Sequence, residues 1–238
     1  MFSNIDRYES VLPQVAPVFL DALDKQLRIY YDDILEVWYS PHGVASSSPK
    51  LWVLGITPGW NQMRIAYEDA AVAIQQGLSR QEAARSAKPR VAFAGPMRTN
   101  LIAMMDELGL ASALEVDSSA DLFGTELLRT GSVLKYPVFT RGKNYTGYSP
   151  KPHAHSVLCE MLDTVFATEL ESIVDCLILP LGKTVESVLD HFVAMGLLDG
   201  ARVLRGFPHP SGANGHRQKI FLQNKVQMRR AVAHWFRG

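Results

Sequence analysis

A chain of 238 residues can enclose one substantial hydrophobic core, and its length does not require a second domain. Hydrophobic residues make up 47% of the chain and charged residues 20%, a balance that excludes a disordered or fibrous protein. The formal net charge is zero, so any attraction to nucleic acid must come from the distribution of charge along the chain.

The first 40 residues are predicted to be helical. Apolar residues recur there at helical spacings, namely Val15, Val18, Phe19, Leu23, Leu27 and Tyr30. A polar loop with the sequence PHGVASSSPK follows at 41–50. We therefore expect a helical extension over about residues 1–40 of a single domain that spans residues 1–238.

Strands and helices alternate in the rest of the chain. Leu51 to Ile56 is a short apolar run that ends in Thr57, Pro58 and Gly59, which indicates a buried strand followed by a tight turn. Further strands are predicted at 130–139, 173–181 and 202–206, and helices at 66–86, 97–109, 156–170, 184–195 and 221–236. This alternation predicts an α/β fold with a mostly parallel sheet and helices on both faces.

Basic residues are concentrated in two stretches that contain no Asp or Glu. One runs from Ala201 to the C-terminus and the other from Leu127 to Cys159. In contrast, most of the charged residues among the first 36 are acidic. If the two basic stretches share one face, a neutral protein presents a positive surface to a phosphate backbone. The alternative is that the C-terminal charges only form a solvated helix face.

Three turns after predicted strands, at 55–60, 130–148 and 207–217, are rich in residues that take part in chemistry. The carboxyl ends of parallel strands meet at one edge of a sheet, where α/β folds place their sites. Gly55 and Gly59 allow a ligand to approach the backbone closely. His209 lies between two prolines on a stiff loop, although a lone histidine is more often a packing residue.

Metal and cofactor sites are not expected. Cys159 and Cys176 do not form a CxxC pair, and two thiolates cannot hold an iron-sulfur cluster or an all-thiolate zinc ion. His153 and His155 lie close to Cys159 in the sequence but lack a fourth ligand. GKT at 182–184 lacks the glycine that a phosphate-binding P-loop has five residues earlier.

No apolar run approaches the roughly 20 residues that a membrane helix needs. The sequence MFSNIDRYES at the start is polar and acidic, where a secretory signal would be basic and then apolar. We therefore expect a cytoplasmic protein with no membrane partner.

The turns at 55–60 and 207–217 together resemble the two signature motifs of the uracil-DNA glycosylase superfamily. GITPG at 55–59 follows the first strand and HPSGANGHR at 209–217 follows the last. Three more segments resemble that family in the same order: AFAGPMRTNLIAMMDELGL at 92–110, TGSVLKYP at 130–137 and CLILPLGKTVESVL at 176–189. The resemblance implies a three-layer α/β/α sandwich around a central, mostly parallel, four-stranded sheet.

The resemblance also implies a monomeric DNA glycosylase that flips a base out of the helix and hydrolyses its N-glycosidic bond without a cofactor. His209 would stabilise the negative charge of the departing base. Backbone groups at 55–59 would contact that base and order a water molecule. The expected site residues are His209, Thr57 and Asn61 for catalysis; Gly55, Ile56, Pro58, Trp60, Phe93, Gly131 and Ser132 for the base; and Ser211, Asn214, His216, Arg217 and Lys143 for DNA.

Two positions depart from the family pattern. Thr57 replaces an Asp or Asn that activates water, and Gly131 or Ser132, depending on alignment, replaces the asparagine that recognises uracil. Smaller residues enlarge the pocket, so the expected substrate is a modified or damaged base, such as glucosylated hydroxymethylcytosine of phage DNA. The alternatives are uracil excision in DNA repair, a catalytically inactive nucleic-acid binding protein, or a small-molecule hydrolase.

Overall fold

A computed structural model shows that the chain has an α/β fold, and it describes residue 2 and residues 5–43, 46–86, 93 and 95–237. The strands in these ranges are β1 (Arg28–Tyr31), β2 (Glu36–Trp38), β3 (Leu51–Gly55), β4 (Leu128–Ser132), β5 (Val138–Thr140), β6 (Lys143–Asn144) and β7 (Leu177–Pro180). The α-helices are α1 (Asp6–Glu9), α2 (Trp60–Gln75), α3 (Arg80–Ser86), α4 (Pro96–Glu107), α5 (Leu110–Ala113), α6 (Ser156–Glu160), α7 (Ala167–Glu171), α8 (Lys183–Ala194) and α9 (Arg217–Arg237).

The chain divides into two compact units, each with its own sheet. Unit 1 comprises Met1–Ala45, Thr57–Val91 and Leu134–Thr168, and unit 2 comprises Ser46–Ile56, Ala92–Val133 and Glu169–Gly238. One boundary follows Ile56, so the turn at 55–60 begins in unit 2 and ends in unit 1.

Unit 1 contains an antiparallel sheet with the strand order β1-β2-β5-β6. Strands β5 and β6 form a hairpin whose two loop residues, Arg141 and Gly142, have φ values of 51° and 71°. Positive φ at both loop residues is what a two-residue type I′ turn requires. The hairpin therefore holds Lys143 and Asn144 immediately after a tight turn.

The expectation of helices over residues 1–40 was largely wrong. Within the described part of that segment, α1 is the only α-helix, and 28–31 and 36–38 are strands. Val18 is 77% exposed and Phe19 is 58% exposed, whereas Leu23 and Leu27 are buried, so the apolar residues at helical spacing do not share one buried face. Pro13 and Pro17 interrupt any helix there, because proline lacks the backbone N–H donor and clashes with the preceding turn.

Unit 2 contains a parallel sheet with the strand order β4-β3-β7. Leu51 pairs with Leu128 on one side and Leu177 on the other, and every residue of β3 is buried. This confirms the predicted strand at Leu51–Ile56, which ends at Gly55. A central parallel strand lies between covered faces, so an uninterrupted apolar sequence suits it.

The sheet of unit 2 has three strands in the described residues, whereas the resemblance implied four. The expected strand at 202–206 is reduced to one bridge between Val203 and Ile178, after a 3₁₀ turn at Gly200–Arg202. The expected strand at 130–139 is two strands, β4 and β5, in different sheets. Pro137 lies just before β5 and has no N–H for a ladder, which explains why one long strand does not form.

The predicted helices are found with small changes at their ends. The segment at 66–86 forms two helices, α2 and α3, which are separated by Gly77 at a φ of 97°. The helical run at 156–171 contains a π-helical turn at Met161–Phe166. No helix within the described ranges combines the length and apolar character needed to cross a membrane.

Candidate functional site

The carboxyl edge of the sheet in unit 2 brings together three residues that were predicted to contact a base. Gly55 pairs with Ser132 in the parallel ladder, and its carbonyl accepts a hydrogen bond of 3.0 Å from the backbone N–H of Val133. A Cβ placed on Gly55 would lie 3.6 Å from the Phe93 ring and 3.6 Å from the Ser132 hydroxyl. Gly55 therefore leaves space between an aromatic ring and a hydroxyl group.

The structure distinguishes Gly131 from Ser132, between which the sequence alone could not decide. A Cβ on Gly131 would lie 3.2 Å from the indole nitrogen of Trp52, whereas Ser132 lies beside Gly55. Successive residues of a strand face opposite sides of a sheet. Of the two, Ser132 is therefore the residue whose side chain lies beside Gly55. The absence of a side chain at Gly131 leaves room for the indole of Trp52.

Phe93 is part of the hydrophobic core of unit 2 and is only 4% exposed. Its φ of 57° is unusual for a large side chain, since the left-handed region is sterically unfavourable for residues other than glycine. The ring is therefore held in a constrained position against Gly55. It does not form a freely exposed stacking surface.

His209 is placed at the same edge of this sheet through β7. The Leu181 N–H donates to the Leu54 carbonyl at 2.9 Å, and the Gly182 N–H donates to the Phe207 carbonyl at 3.1 Å. A Cβ on Gly182, whose φ is 92°, would lie 3.2 Å from the Cβ of His209. Only glycine allows the turn after β7 to approach the histidine so closely.

The turn that carries His209 is fixed by three side chains. The Asn214 amide donates to the His209 carbonyl at 3.1 Å, and the Arg217 guanidinium donates to the Ser211 carbonyl at 2.8 Å. The Asn100 amide, from α4, donates to the Pro210 carbonyl at 2.9 Å. Asn214 and Arg217 were predicted as DNA contacts, and in the structure their side chains hold the turn.

The imidazole of His209 has a defined tautomer. The backbone N–H of Ser211 donates to Nδ1 at 3.2 Å, so Nδ1 is the acceptor and the proton of the neutral ring is on Nε2. Burial lowers the pKa of His209 below its ordinary value, because desolvation disfavours the imidazolium ion. The ring is therefore a neutral hydrogen-bond donor through Nε2 at neutral pH.

The other residues of the histidine turn are more exposed. The Ser211 hydroxyl accepts the Ala213 N–H at 3.2 Å, and the Asn214 side chain accepts the His216 N–H at 3.2 Å. His216 is exposed. Ser211 and Asn214 therefore stabilise the turn through their own side chains, and the contact of Ser211 and His216 with DNA stays a prediction.

Thr57 has a structural role in unit 1. Its hydroxyl donates to the Tyr136 carbonyl at 3.0 Å and accepts the Val138 N–H at 3.0 Å. A hydroxyl has one proton to donate and two lone pairs. Thr57 can therefore accept one more hydrogen bond, including one from water, but its proton is already used.

The remaining predicted site residues of unit 1 surround the start of α2. The Asn144 side chain accepts the Trp60 N–H at 2.8 Å, and the Gln62 side chain accepts the Gly59 N–H at 2.9 Å. These bonds cap the helix at Gly59, which follows Pro58. Asn61 and Lys143 are exposed.

Sequence reasoning missed the parts played by Asn100 and Asn144. Asn100 lies within the family-like segment at 92–110, so that segment could have drawn attention to it. Asn144 lies in the KNYTGYSP loop, and nothing local in the sequence indicates that it caps a helix 84 residues away. Both asparagines position the backbone of other predicted residues.

The described residues contain no group of three or more His, Cys, Asp or Glu side chains arranged to hold a metal ion. His155 instead contacts the Asp32 carboxylate, with 2.9 Å between Nε2 and the oxygen. The same carboxylate accepts the Tyr30 hydroxyl and the backbone N–H groups of Ile34 and Leu35. These bonds hold the pKa of Asp32 at about 2 despite the opposing effect of burial, so this group is an ionised structural anchor.

No protein-family model matches the chain. A search of curated proteins shows similarity to the uncharacterized protein YoxB of Bacillus subtilis (strain 168), at 41% identity over 216 residues. The alignment covers 89% of this chain and 84% of YoxB. The chain therefore belongs to the same protein family as YoxB.

Proposed function

We propose that the protein is a DNA glycosylase that hydrolyses the N-glycosidic bond of a flipped base and leaves an abasic site. The observation that carries the proposal is the neutral imidazole of His209, which has its proton on Nε2 and is fixed at the carboxyl edge of a parallel sheet. The resemblance of 55–59 and 209–217 to the motifs of the uracil-DNA glycosylase superfamily supports the same reaction. On this proposal the bridge at Val203 corresponds to a shortened fourth strand of the central sheet.

The reaction needs a hydrogen-bond donor for the leaving base. When the bond between C1′ and the base nitrogen breaks, the electron pair leaves with the base and the sugar becomes cationic. A water oxygen then bonds to C1′, its proton passes to solvent, and the base anion takes a proton from solvent. Nε2–H of His209 would stabilise the negative charge on the base while it forms, as donors in an oxyanion hole do.

The proposed substrate is a modified or damaged base. Ser132 beside Gly55 offers one small hydroxyl where the uracil-DNA glycosylase superfamily has an asparagine that forms two hydrogen bonds with uracil. Loss of a bidentate amide removes about 1–3 kcal/mol of discrimination at a base edge. A serine is smaller than an asparagine, so on this proposal the base can carry a substituent at that edge, as glucosylated hydroxymethylcytosine does.

The test is base release from a panel of DNA substrates. The protein is incubated with DNA that contains uracil, deaminated purines, hydroxymethylcytosine or glucosylated hydroxymethylcytosine, and alkali-labile sites and free bases are measured. We expect release from at least one modified substrate, and a loss of about 100- to 1,000-fold in His209→Ala. His191→Ala, which removes an exposed histidine of α8, should retain activity. No release from any substrate would contradict the proposal.

A second candidate is a nucleic-acid binding protein without catalysis. The observation in its favour is that the Thr57 proton is donated to Tyr136, and that a threonine hydroxyl cannot act as a base near neutral pH. This candidate predicts DNA binding that weakens steeply with salt, survives His209→Ala and is not accompanied by base release.

A further inference from the structure

Unit 1 has an open cleft whose lining combines aromatic and polar groups. Its volume is about 460 Å³, and it is lined by Phe19, Leu20, Trp60 and Phe139, of which Phe19 is exposed, Trp60 is half-buried and Phe139 is buried. The hairpin residues 142–144 complete the lining. Phe19 is 58% exposed, so its side chain is accessible to a ligand.

The walls of the cleft are held in place by hydrogen bonds. Asn144, which pairs with Phe139 in the hairpin, accepts the Trp60 N–H and so ties β6 to the start of α2. A Cβ on Gly59 would lie 3.3 Å from the Asn144 amide nitrogen, so glycine permits this close approach. The backbone at Trp60 and Lys143 is therefore held in place before a ligand binds, which lowers the entropic cost of binding.

The charge beside the rings is positive. Lys143 is exposed, and none of the described residues places a carboxylate in an ion pair with it. The segment 127–159 that contributes the hairpin has no acidic residue, and Arg141 forms the adjoining turn. Asp21, which directly follows Leu20 in the sequence, is an acidic residue adjacent to one that lines the cleft. One cation beside the exposed Phe19 and the half-buried Trp60 suits a ligand that has a flat face and a phosphate.

We propose that this cleft binds an unpaired nucleotide of a single-stranded nucleic acid, with a base stacked on Phe19 or Trp60 and a phosphate at Lys143. Aromatic platforms beside basic groups are the means by which proteins hold single strands without sequence preference. The inference rests on the proposed function only in taking a nucleic acid as the partner. It adds a strand-binding site on unit 1 that does not include His209.

Binding is measured by fluorescence anisotropy with a labelled twelve-residue oligothymidylate, and in parallel with oligouridylate of the same length. Phe19→Ala and Trp60→Leu should each raise Kd by about 10-fold, the order of loss expected when one ring stops stacking on a base. Lys143→Gln should reduce the slope of log Kd against log salt by about 0.7, since one phosphate contact to a single strand is lost.

Two matched variants serve as controls. Val18→Ala removes an exposed apolar side chain next to Phe19 that does not line the cleft, and Lys151→Gln removes an exposed lysine of the same acid-free segment. Both should bind with the parent Kd. Circular dichroism and thermal unfolding identify any cleft variant that has lost its fold, and Phe19→Tyr, which retains the ring, should restore binding.

The outcomes separate this inference from the proposed glycosylase activity. Binding that depends on Phe19 and Trp60 supports the cleft even if no base is released from any DNA, and it should persist in His209→Ala. The inference is overturned if the parent binds neither oligonucleotide, or if the cleft variants and the control variants bind equally well. Tighter binding of oligothymidylate than of oligouridylate would identify DNA as the preferred strand, and the reverse would identify RNA.

Discussion

The backbone N–H of Ser211 donates to Nδ1 of His209 at 3.2 Å and thereby sets the protonation of the ring. Protonation of Nδ1 would place two donors against each other, and burial also disfavours the imidazolium ion. The hydrogen bond to Nδ1 and the burial of the ring therefore both favour the neutral form with its proton on Nε2.

We expect nitrogen-detected NMR to show His209 in the Nε2–H tautomer, with a pKa below the ordinary value of about 6.5. Because the folded pKa is lower than the unfolded pKa, this histidine contributes stability above about pH 6.5. That stability decreases as the pH falls through the folded pKa. The signal should vanish in His209→Ala. A His209 that titrates at or above the ordinary value, or that has its proton on Nδ1, would contradict this assignment.

Substitution of Gly182 should impair His209 without direct removal of the imidazole. Gly182→Ala places a Cβ 3.2 Å from that of His209 and must shift the histidine turn. Gly196 also has a positive φ, of 73°, but a Cβ there meets nothing within 4 Å. Both alanine variants should lose about 1–2 kcal/mol of unfolding free energy through backbone strain. Only Gly182→Ala should also lose base release, so equal activity in the two variants would exclude the coupling.

The sequence was informative where local pattern decides the structure. The apolar run at 51–56 predicted β3, and the glycine and proline turns pointed to 55–60 and 207–217. The sequence was misleading where distant partners decide. Tyr30 is one of the apolar residues at helical spacing, yet 28–31 pairs with 36–38 as a strand, because tertiary packing overrides local propensity.

The candidate site shows the same limit. His209 and Gly55 could be chosen from their motifs, and the structure places both at the carboxyl edge of the sheet in unit 2. The contacts that position the predicted turns could not be foreseen, since Thr57 contacts Tyr136 across 79 positions and Asn100 contacts Pro210 across 110. Hydrogen bonds between such distant residues leave no periodic signal in a single sequence.

Thr57 allows a test of structure against catalysis. Thr57→Val removes the hydroxyl that satisfies the Tyr136 carbonyl and the Val138 N–H, both in buried residues, and should lower the unfolding free energy by about 1–3 kcal/mol. Thr57→Ser retains the hydroxyl and should remain close to the parent in chemical denaturation. If Thr57 also orients water, Thr57→Ser keeps base release and Thr57→Val loses it. Equal stability of the two variants would exclude the structural role.

Arg202 should contribute to the stability of unit 2 through a buried guanidinium group. It is 8% exposed, and its guanidinium donates to the carbonyl of Cys176 at 3.3 Å and to the carbonyl of Ile173. Arg202→Met keeps an apolar stem but leaves these carbonyls without that donor, so we expect a loss of about 2–4 kcal/mol in urea unfolding.

Arg205 provides the comparison for Arg202. It pairs with Asp190 in the same unit, but the two side chains are 38% and 48% exposed. Solvent screens such a pair, so Arg205→Met should cost at most about 1 kcal/mol. The difference in unfolding free energy between the two variants measures the effect of burial, because both remove one guanidinium from chain positions three residues apart. Comparable losses in the two variants would show that the carbonyl contacts of Arg202 contribute little to the stability of unit 2.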